Sequence, residues 1–190
     1  MCQKFSIILI GGSAGCLPPL IDILQALPNT FSIPIVVVMH RQKNVASSLD
    51  KILSGYSPYF NTIEPEDKEV IMPCSIYLAP QNYHLLFEYD NTFSLDYSEP
   101  ILYSRPSIDV SFESAAAVYG KVALAILLSG ANSDGSKGVE GILSCGGTAI
   151  VQDPASALYK AMPQAALERN PGAMNLMPEN IISFVTRLIS

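Results

Sequence analysis

Three residues of this chain have types and positions suited to nucleophilic catalysis: Ser13, His40 and Asp134. Ser13 lies in Gly11-Gly12-Ser13-Ala14-Gly15, which fits G-x-S-x-G, a sharp turn that lifts a serine hydroxyl above a sheet edge. A serine hydroxyl is a poor nucleophile at its free pKa, so it needs a base to take its proton. His40 ends the apolar run 33–39 and is one of two histidines. Asp134 lies in the loop Ser129-Gly-Ala-Asn-Ser-Asp-Gly135 and has the chemistry to fix the imidazole tautomer and stabilise the imidazolium. Each residue has a plainer alternative. Ser13 could cap a helix, His40 could be an ordinary loop residue, and Asp134 could serve a turn before Gly135. His84 is the rival base, although it falls inside an expected strand. Asp109 is the rival acid, although it falls in the first turn of an expected helix, where a carboxylate is favoured anyway.

The elements around these residues decide whether they can meet. Residues 5–10 form a short, β-branched apolar run, the mark of a strand buried on both faces. Leu17, Leu20, Ile23, Leu24 and Leu27 then recur at helical spacing, predicting a helix over 17–27. A second buried strand is expected over 33–39, with Pro34 near its start, and a second helix over 46–53, closed by Ser54-Gly55. Strand, helix, strand, helix with continuous apolar strands points to parallel βαβ units. The middle of the chain reads differently. A strand is expected over 75–79, and strands 84–89 and 92–97 flank Asp90-Asn91 as a two-residue hairpin turn. A helix over 108–119 follows, capped by Ser107 and ended by Gly120. Strands over 122–128 and 147–151 and helices over 136–144, 162–167 and 179–189 complete the chain. The expected fold is a doubly wound, mostly parallel, three-layer α/β/α sheet with a β-hairpin in its middle region. In such sheets ligands bind beyond the carboxyl ends of the strands, where Ser13, His40 and Asp134 all fall. The helix after Ser13 would also offer its unpaired N–H groups to a developing oxyanion.

Composition narrows the function classes. With 190 residues the chain reads as one domain over 1–190, long enough to bury a sizeable core. A net charge of −6 argues against nucleic acid and anionic membrane surfaces as partners. No apolar run approaches a membrane span. The cysteines Cys2, Cys16, Cys74 and Cys145 are scattered and form no C-x-x-C, so no metal and a reduced, cytoplasmic protein are expected. Cys16 lies close enough to the glycine turn to raise the question of reactivity, though a buried, inert thiol is the plainer reading. The turn could instead bind phosphate, but G-x-G-x-x-G and the Gly-Lys-Ser/Thr of a P-loop are both absent. Lys4, the apolar run and Ser13-Ala14-Gly15-Cys16 could also be a lipoprotein signal, but that run is short, and cleavage would remove the first strand.

The ordered set of local motifs resembles the catalytic domain of the bacterial chemotaxis protein-glutamate methylesterases. The stretches are Ile10-Gly-Gly-Ser-Ala-Gly15, Val36-Val-Val-Met-His40, Tyr77-Leu-Ala-Pro80 with Asn82-Tyr-His-Leu-Leu86, and Arg105-Pro-Ser-Ile-Asp109. Leu127-Leu-Ser-Gly130 with Asp134-Gly135, then Gln152-Asp153 with Met162-Pro163, complete the order. The resemblance implies a doubly wound α/β domain and a triad on Ser13, His40 and Asp134. It implies hydrolysis of γ-glutamyl methyl esters on the cytoplasmic helices of chemoreceptors, with glutamine deamidation in some members, and no cofactor. The chain departs from the family in having Ala14 for threonine, Cys16 for a second glycine, Ala131 for the methionine of the loop before the acid, and Ser104 for a histidine. The receiver domain usual in the family is absent from this sequence. Two other classes stay open beside the methylesterase: a non-catalytic regulatory or binding module of the same fold, and a hydrolase of another small ester or amide.

Overall fold

The computed structural model describes residues 5–41 and 47–189; Cys2, Lys4 and Ala46, the last being the start of the expected second helix, lie outside them. In chain order the strands are β1 (Ile7–Gly12), β2 (Ile35–Met39), β3 (Asn61–Ile63), β4 (Ser75–Leu78), β5 (His84–Phe87), β6 (Phe93–Asp96), β7 (Ala123–Leu127), β8 (Thr148–Gln152) and β9 (Met174–Leu176). The helices are α1 (Leu17–Gln25), α2 (Leu49–Tyr56), α3 (Ile108–Tyr119), α4 (Ser136–Ser144), α5 (Ala161–Arg169) and α6 (Pro178–Thr186). Seven strands form one parallel sheet in the order β3-β4-β2-β1-β7-β8-β9, while β5 and β6 pair antiparallel as a separate hairpin. The chain builds outward from β1 to one edge, then returns to the other side of β1 as β7. The topological switch point therefore lies between β1 and β7, the place where such sheets hold their ligands.

Apolar residues at every position of the central strands produce this architecture. Ile8 and Ile10 of β1 pack into a core shared with Leu20, Ile23 and Leu24 of α1, Leu49 and Leu53 of α2, and Ile181 and Val185 of α6. Ile7 and Leu9 point the other way, into a core with Phe112 and Ala115 of α3, Val139 and Ile142 of α4, and Met162 and Ala166 of α5. The hairpin covers part of this second face through Leu85, Phe87 and Phe93. A strand between two helical layers must be apolar on both sides, and the runs in β1, β2 and β7 are.

The fold class is the one the sequence predicts, with local differences. α2 starts at Leu49 and runs through Ser54-Gly55 to Tyr56. Its buried residues, Leu49 and Leu53, are four apart, so the helix turn between them carries the apolar contact. The hairpin loop holds three residues, Tyr89 to Asn91, because Asn91 takes a left-handed φ of 64°. Glu88 N–H bonds Thr92 O at 3.0 Å and Asn91 N–H bonds Glu88 O at 3.1 Å, the pattern of a three-residue loop. The strands β3 and β9 were not expected. Each is three residues long at a sheet edge, too short for a period to show. α3 and α4 have the predicted bounds, with Ser107 capping α3 and Gly120 ending it at φ 52°. Among the described residues no helix is long and apolar enough to cross a membrane.

Candidate functional site

β1 ends in a tight turn that carries Ser13. Cys16 N–H bonds Ser13 O at 3.1 Å, closing a four-residue turn across Ala14 and Gly15. Gly15 has φ +77°, and a Cβ there would lie 2.8 Å from Leu158 Cβ and 2.9 Å from Ser129 Oγ. Only glycine meets both demands. Positive φ at the third turn residue alone makes this a type II turn. α1 begins directly after it, with Pro18 and Pro19 as its second and third residues. Proline has no N–H, so the expectation that this helix start would offer several donors to an anion is corrected. The turn itself carries the backbone N–H groups of Ala14 and Gly15, the two residues that follow Ser13.

β2 runs parallel to β1 with Met39 beside Gly12, so the next residues on the two strands are His40 and Ser13. His40 N–H bonds Gly12 O at 3.4 Å. The structure thus brings Ser13 and His40 to neighbouring strand ends, without a hydrogen bond between their side chains. His40 Nε2 lies 2.7 Å from Asp134 Oδ2. An ionised carboxylate only accepts, so Nε2 carries the proton of that bond.

Asp134 is fully buried yet fully partnered. Its Oδ2 also accepts Ile108 N–H at 2.8 Å. Its Oδ1 accepts Ser107 Oγ–H at 3.0 Å, Asp109 N–H at 2.9 Å and Gly135 N–H at 3.0 Å. The carboxylate therefore sits on the positive N-terminal end of α3. Burial alone would raise its pKa, but the bonds from His40, Asp109 and Ile108 outweigh burial and hold it below the ordinary carboxylate value.

The rivals have other partners. His84 is buried; its Nδ1 accepts Ser107 N–H at 3.1 Å, so its Nε2–H points at Glu99 O, 3.2 Å away. It braces the residue that braces Asp134. Asp109 Oδ1 accepts Gly138 N–H at 2.8 Å. Burial, together with the charge of Asp134, pushes the Asp109 carboxyl up to about 6. The Cys16 thiol is buried and pushed up to about 12 by that burial, which leaves it protonated and unreactive. Ser107 and Ser129 escaped sequence reasoning as site residues; Ser107 was seen only as a cap. Their short side chains act through backbone groups, which no spacing pattern reveals.

Ser13 is half-buried, and Ala14 beside it is exposed. A shallow groove of about 220 Å³ leads off from Gly15 between Pro18, Pro19, Leu158 and Pro178. A cavity of about 510 Å³ beside Asp109 is lined by Ser133, Ser136, Lys137 and Arg169, but not by Ser13 or His40. Among the described residues no three of His, Cys, Asp and Glu group closely enough to hold a metal ion.

A parallel α/β sheet with a serine, a histidine and an aspartate at its switch point places this protein among the doubly wound folds that build their sites on the strand carboxyl ends. A family model described as CheB methylesterase matches residues 8–185, and the chain belongs to that family. A Leptospira interrogans relative is 41% identical over 186 residues, which cover 98% of this chain and 96% of the relative. A Thermotoga maritima protein, named protein-glutamate methylesterase/protein-glutamine glutaminase, is 33% identical over 186 residues. The match covers 94% of this chain and 54% of the Thermotoga protein, so this chain spans about half the length of that relative. The Leptospira relative carries the same double name in provisional form. A crystal structure of the Thermotoga maritima CheB methylesterase catalytic domain matches with a TM-score of 0.90 and 32% identity, covering 97% of this chain and 98% of that one.

Proposed function

We propose that this protein removes methyl groups from γ-glutamyl methyl esters of chemoreceptors, and deamidates receptor glutamines, through a Ser13-His40-Asp134 triad. The observation that carries the reading is the His40–Asp134 bond of 2.7 Å at the end of the strand beside the Ser13 turn. The glutamate ester and glutamine amide follow from the double name that the relatives carry, and the chemoreceptor from the family resemblance of the motifs. Ser13 is half-buried beside an exposed Ala14, which leaves the turn accessible to a side chain presented on a protein helix. The same reading takes residues 1–190 as one catalytic domain acting in the cytoplasm, with no cofactor.

The mechanism follows from the proton positions. His40 gives Nε2–H to Asp134, so its lone pair is on Nδ1, and Nδ1 takes the proton of Ser13 Oγ. Oγ bonds to the ester carbonyl carbon, and the carbonyl oxygen becomes an oxyanion. Ala14 and Gly15 N–H groups meet that charge. Collapse breaks the bond to the methoxy oxygen, which takes the His40 proton and leaves as methanol. Water then gives a proton to His40 and attacks the acyl carbon. Release of Ser13 Oγ, reprotonated by His40, leaves the glutamic acid side chain, which gives its remaining proton to solvent to become the carboxylate. From glutamine the leaving group is ammonia. Asp134 stays ionised throughout and stabilises the imidazolium.

The test is methanol release from methylated chemoreceptor, comparing wild type with Ser13→Ala. The reading predicts release by wild type and a loss of about 10⁴-fold or more in the variant. Equal release by both proteins would overturn the triad. Release by neither would favour a different ester or amide, or a non-catalytic module.

A further inference from the structure

We propose that Ser129 is a positioning residue: its buried hydroxyl latches the Ala14–Gly15 peptide so that the Gly15 N–H faces the oxyanion formed at Ser13. The inference rests on the reading of Ser13 as nucleophile. Ser129 is fully buried just beyond β7 and touches the Ser13 turn twice. Its carbonyl accepts Ser13 N–H at 2.9 Å, and its Oγ donates to Ala14 O at 2.9 Å. A second carbonyl, Tyr159 O, stands 3.3 Å from the same Oγ, but it already accepts Gly130 N–H at 3.0 Å. The single hydroxyl proton therefore belongs on Ala14 O, the shorter contact. The lone pairs of Oγ take Tyr159 N–H at 2.9 Å, and Ser129 N–H is held by Gln152 Oε1 at 2.9 Å.

Peptide geometry turns this bond into aim. The one cis peptide among the described residues is Arg105–Pro106, so Ala14–Gly15 is trans. In a trans peptide the C=O and N–H point in opposite directions. Holding Ala14 C=O inward on Ser129 turns Gly15 N–H outward. Ser13 N–H is spent on Ser129 O, so it is not available to the oxyanion. Ser13 O is spent on Cys16 N–H at 3.1 Å, which leaves Ala14 N–H directed away from that bond. The Ala14–Gly15 peptide is also the central peptide of a type II turn. Types I and II differ by a flip of that central peptide. The flip would reverse Gly15 N–H, and glycine at φ +77° tolerates either state. The Ser129 hydroxyl selects the state that faces the reacting carbonyl.

The test compares Ser129→Thr with Ser129→Val, which match in volume and differ in the hydroxyl. Methanol release from methylated receptor gives kcat and KM, and thermal unfolding checks that the two variants are equally folded. A fluorophosphonate provides a second readout. Ser13 Oγ bonds to phosphorus, fluoride leaves, the Oγ proton passes to His40, and the phosphoryl oxygen occupies the oxyanion position. The latch predicts that the valine variant loses roughly 10- to 100-fold in kcat and in labelling rate relative to the threonine variant, with KM within about twofold. It also predicts a downfield shift of the Gly15 amide proton in the wild-type adduct, a measurement that needs no variant to fold. Equal kcat and labelling in the two variants, or an unmoved Gly15 amide, would overturn the latch while leaving Ser13→Ala inactive. Methanol release that survives in Ser13→Ala would overturn the nucleophile reading itself.

Discussion

At the scale of single residues, two neighbouring carboxylates on one helix end have opposite fates. Asp134 accepts five hydrogen bonds, from His40, Ser107, Ile108, Asp109 and Gly135. They hold its pKa down, so its contribution to stability is present above the unfolded value of about 4 and is lost as pH falls further. Asp109 is pushed up to about 6 by burial and by Asp134. Its folded value exceeds the unfolded value of about 3.9, so its contribution is full below that pH and lost as pH rises through about 6. Asp109→Asn keeps an oxygen for Gly138 N–H and cannot ionise. Relative to wild type it gains about 1–2 kcal/mol between pH 4 and 7.5, after allowance for solvent screening at the cavity mouth. Urea unfolding at the two pH values measures this, and an unchanged difference contradicts it. The sequence could name Asp109 as a rival acid, but not the N–H groups that separate the two carboxyls. Those donors belong to a helix start and a loop that come together only in three dimensions.

At the scale of elements, α3 is the part that positions the candidate site. Its cap, Ser107, accepts Val110 N–H at 3.5 Å, gives its own hydroxyl proton to Asp134, and hangs from His84 by its N–H. Ser107→Ala removes a cap and a donor to a buried carboxylate together. It is expected to cost about 1–2 kcal/mol, with a several-fold fall in kcat for methanol release. Thermal unfolding and kinetics read the two effects, and loss of stability with unchanged kcat would limit Ser107 to capping. α3 was legible because Ser107, Gly120 and the apolar pattern between them agree. β3 and β9 were not, since three-residue edge strands take their definition from the neighbour they pair with. α1 was legible as a helix but misleading as an anion site, because Pro18 and Pro19 remove the donors that a helix start ordinarily exposes.

At the scale of the molecule, the doubly wound order was readable from continuous apolar strands separated by helices. The side of β1 on which each strand lands was not, because register and neighbour choice depend on packing of the two cores. Ser13 follows β1, His40 follows β2 and Asp134 lies in the loop after β7, so the candidate site spans both halves of the sheet. Two cores share every central strand, which couples those halves. If 1–190 is one domain, unfolding followed by far-ultraviolet circular dichroism and by tyrosine fluorescence gives coincident transitions. Two separated transitions would show that the halves unfold independently.

The most direct test of the central claim is to treat the protein with a fluorophosphonate and map the adduct by mass spectrometry. An activated Ser13 predicts one label, on Ser13, with a labelling rate that falls by orders of magnitude in His40→Ala. A label elsewhere, or labelling of Ser13 that is indifferent to His40, would contradict it.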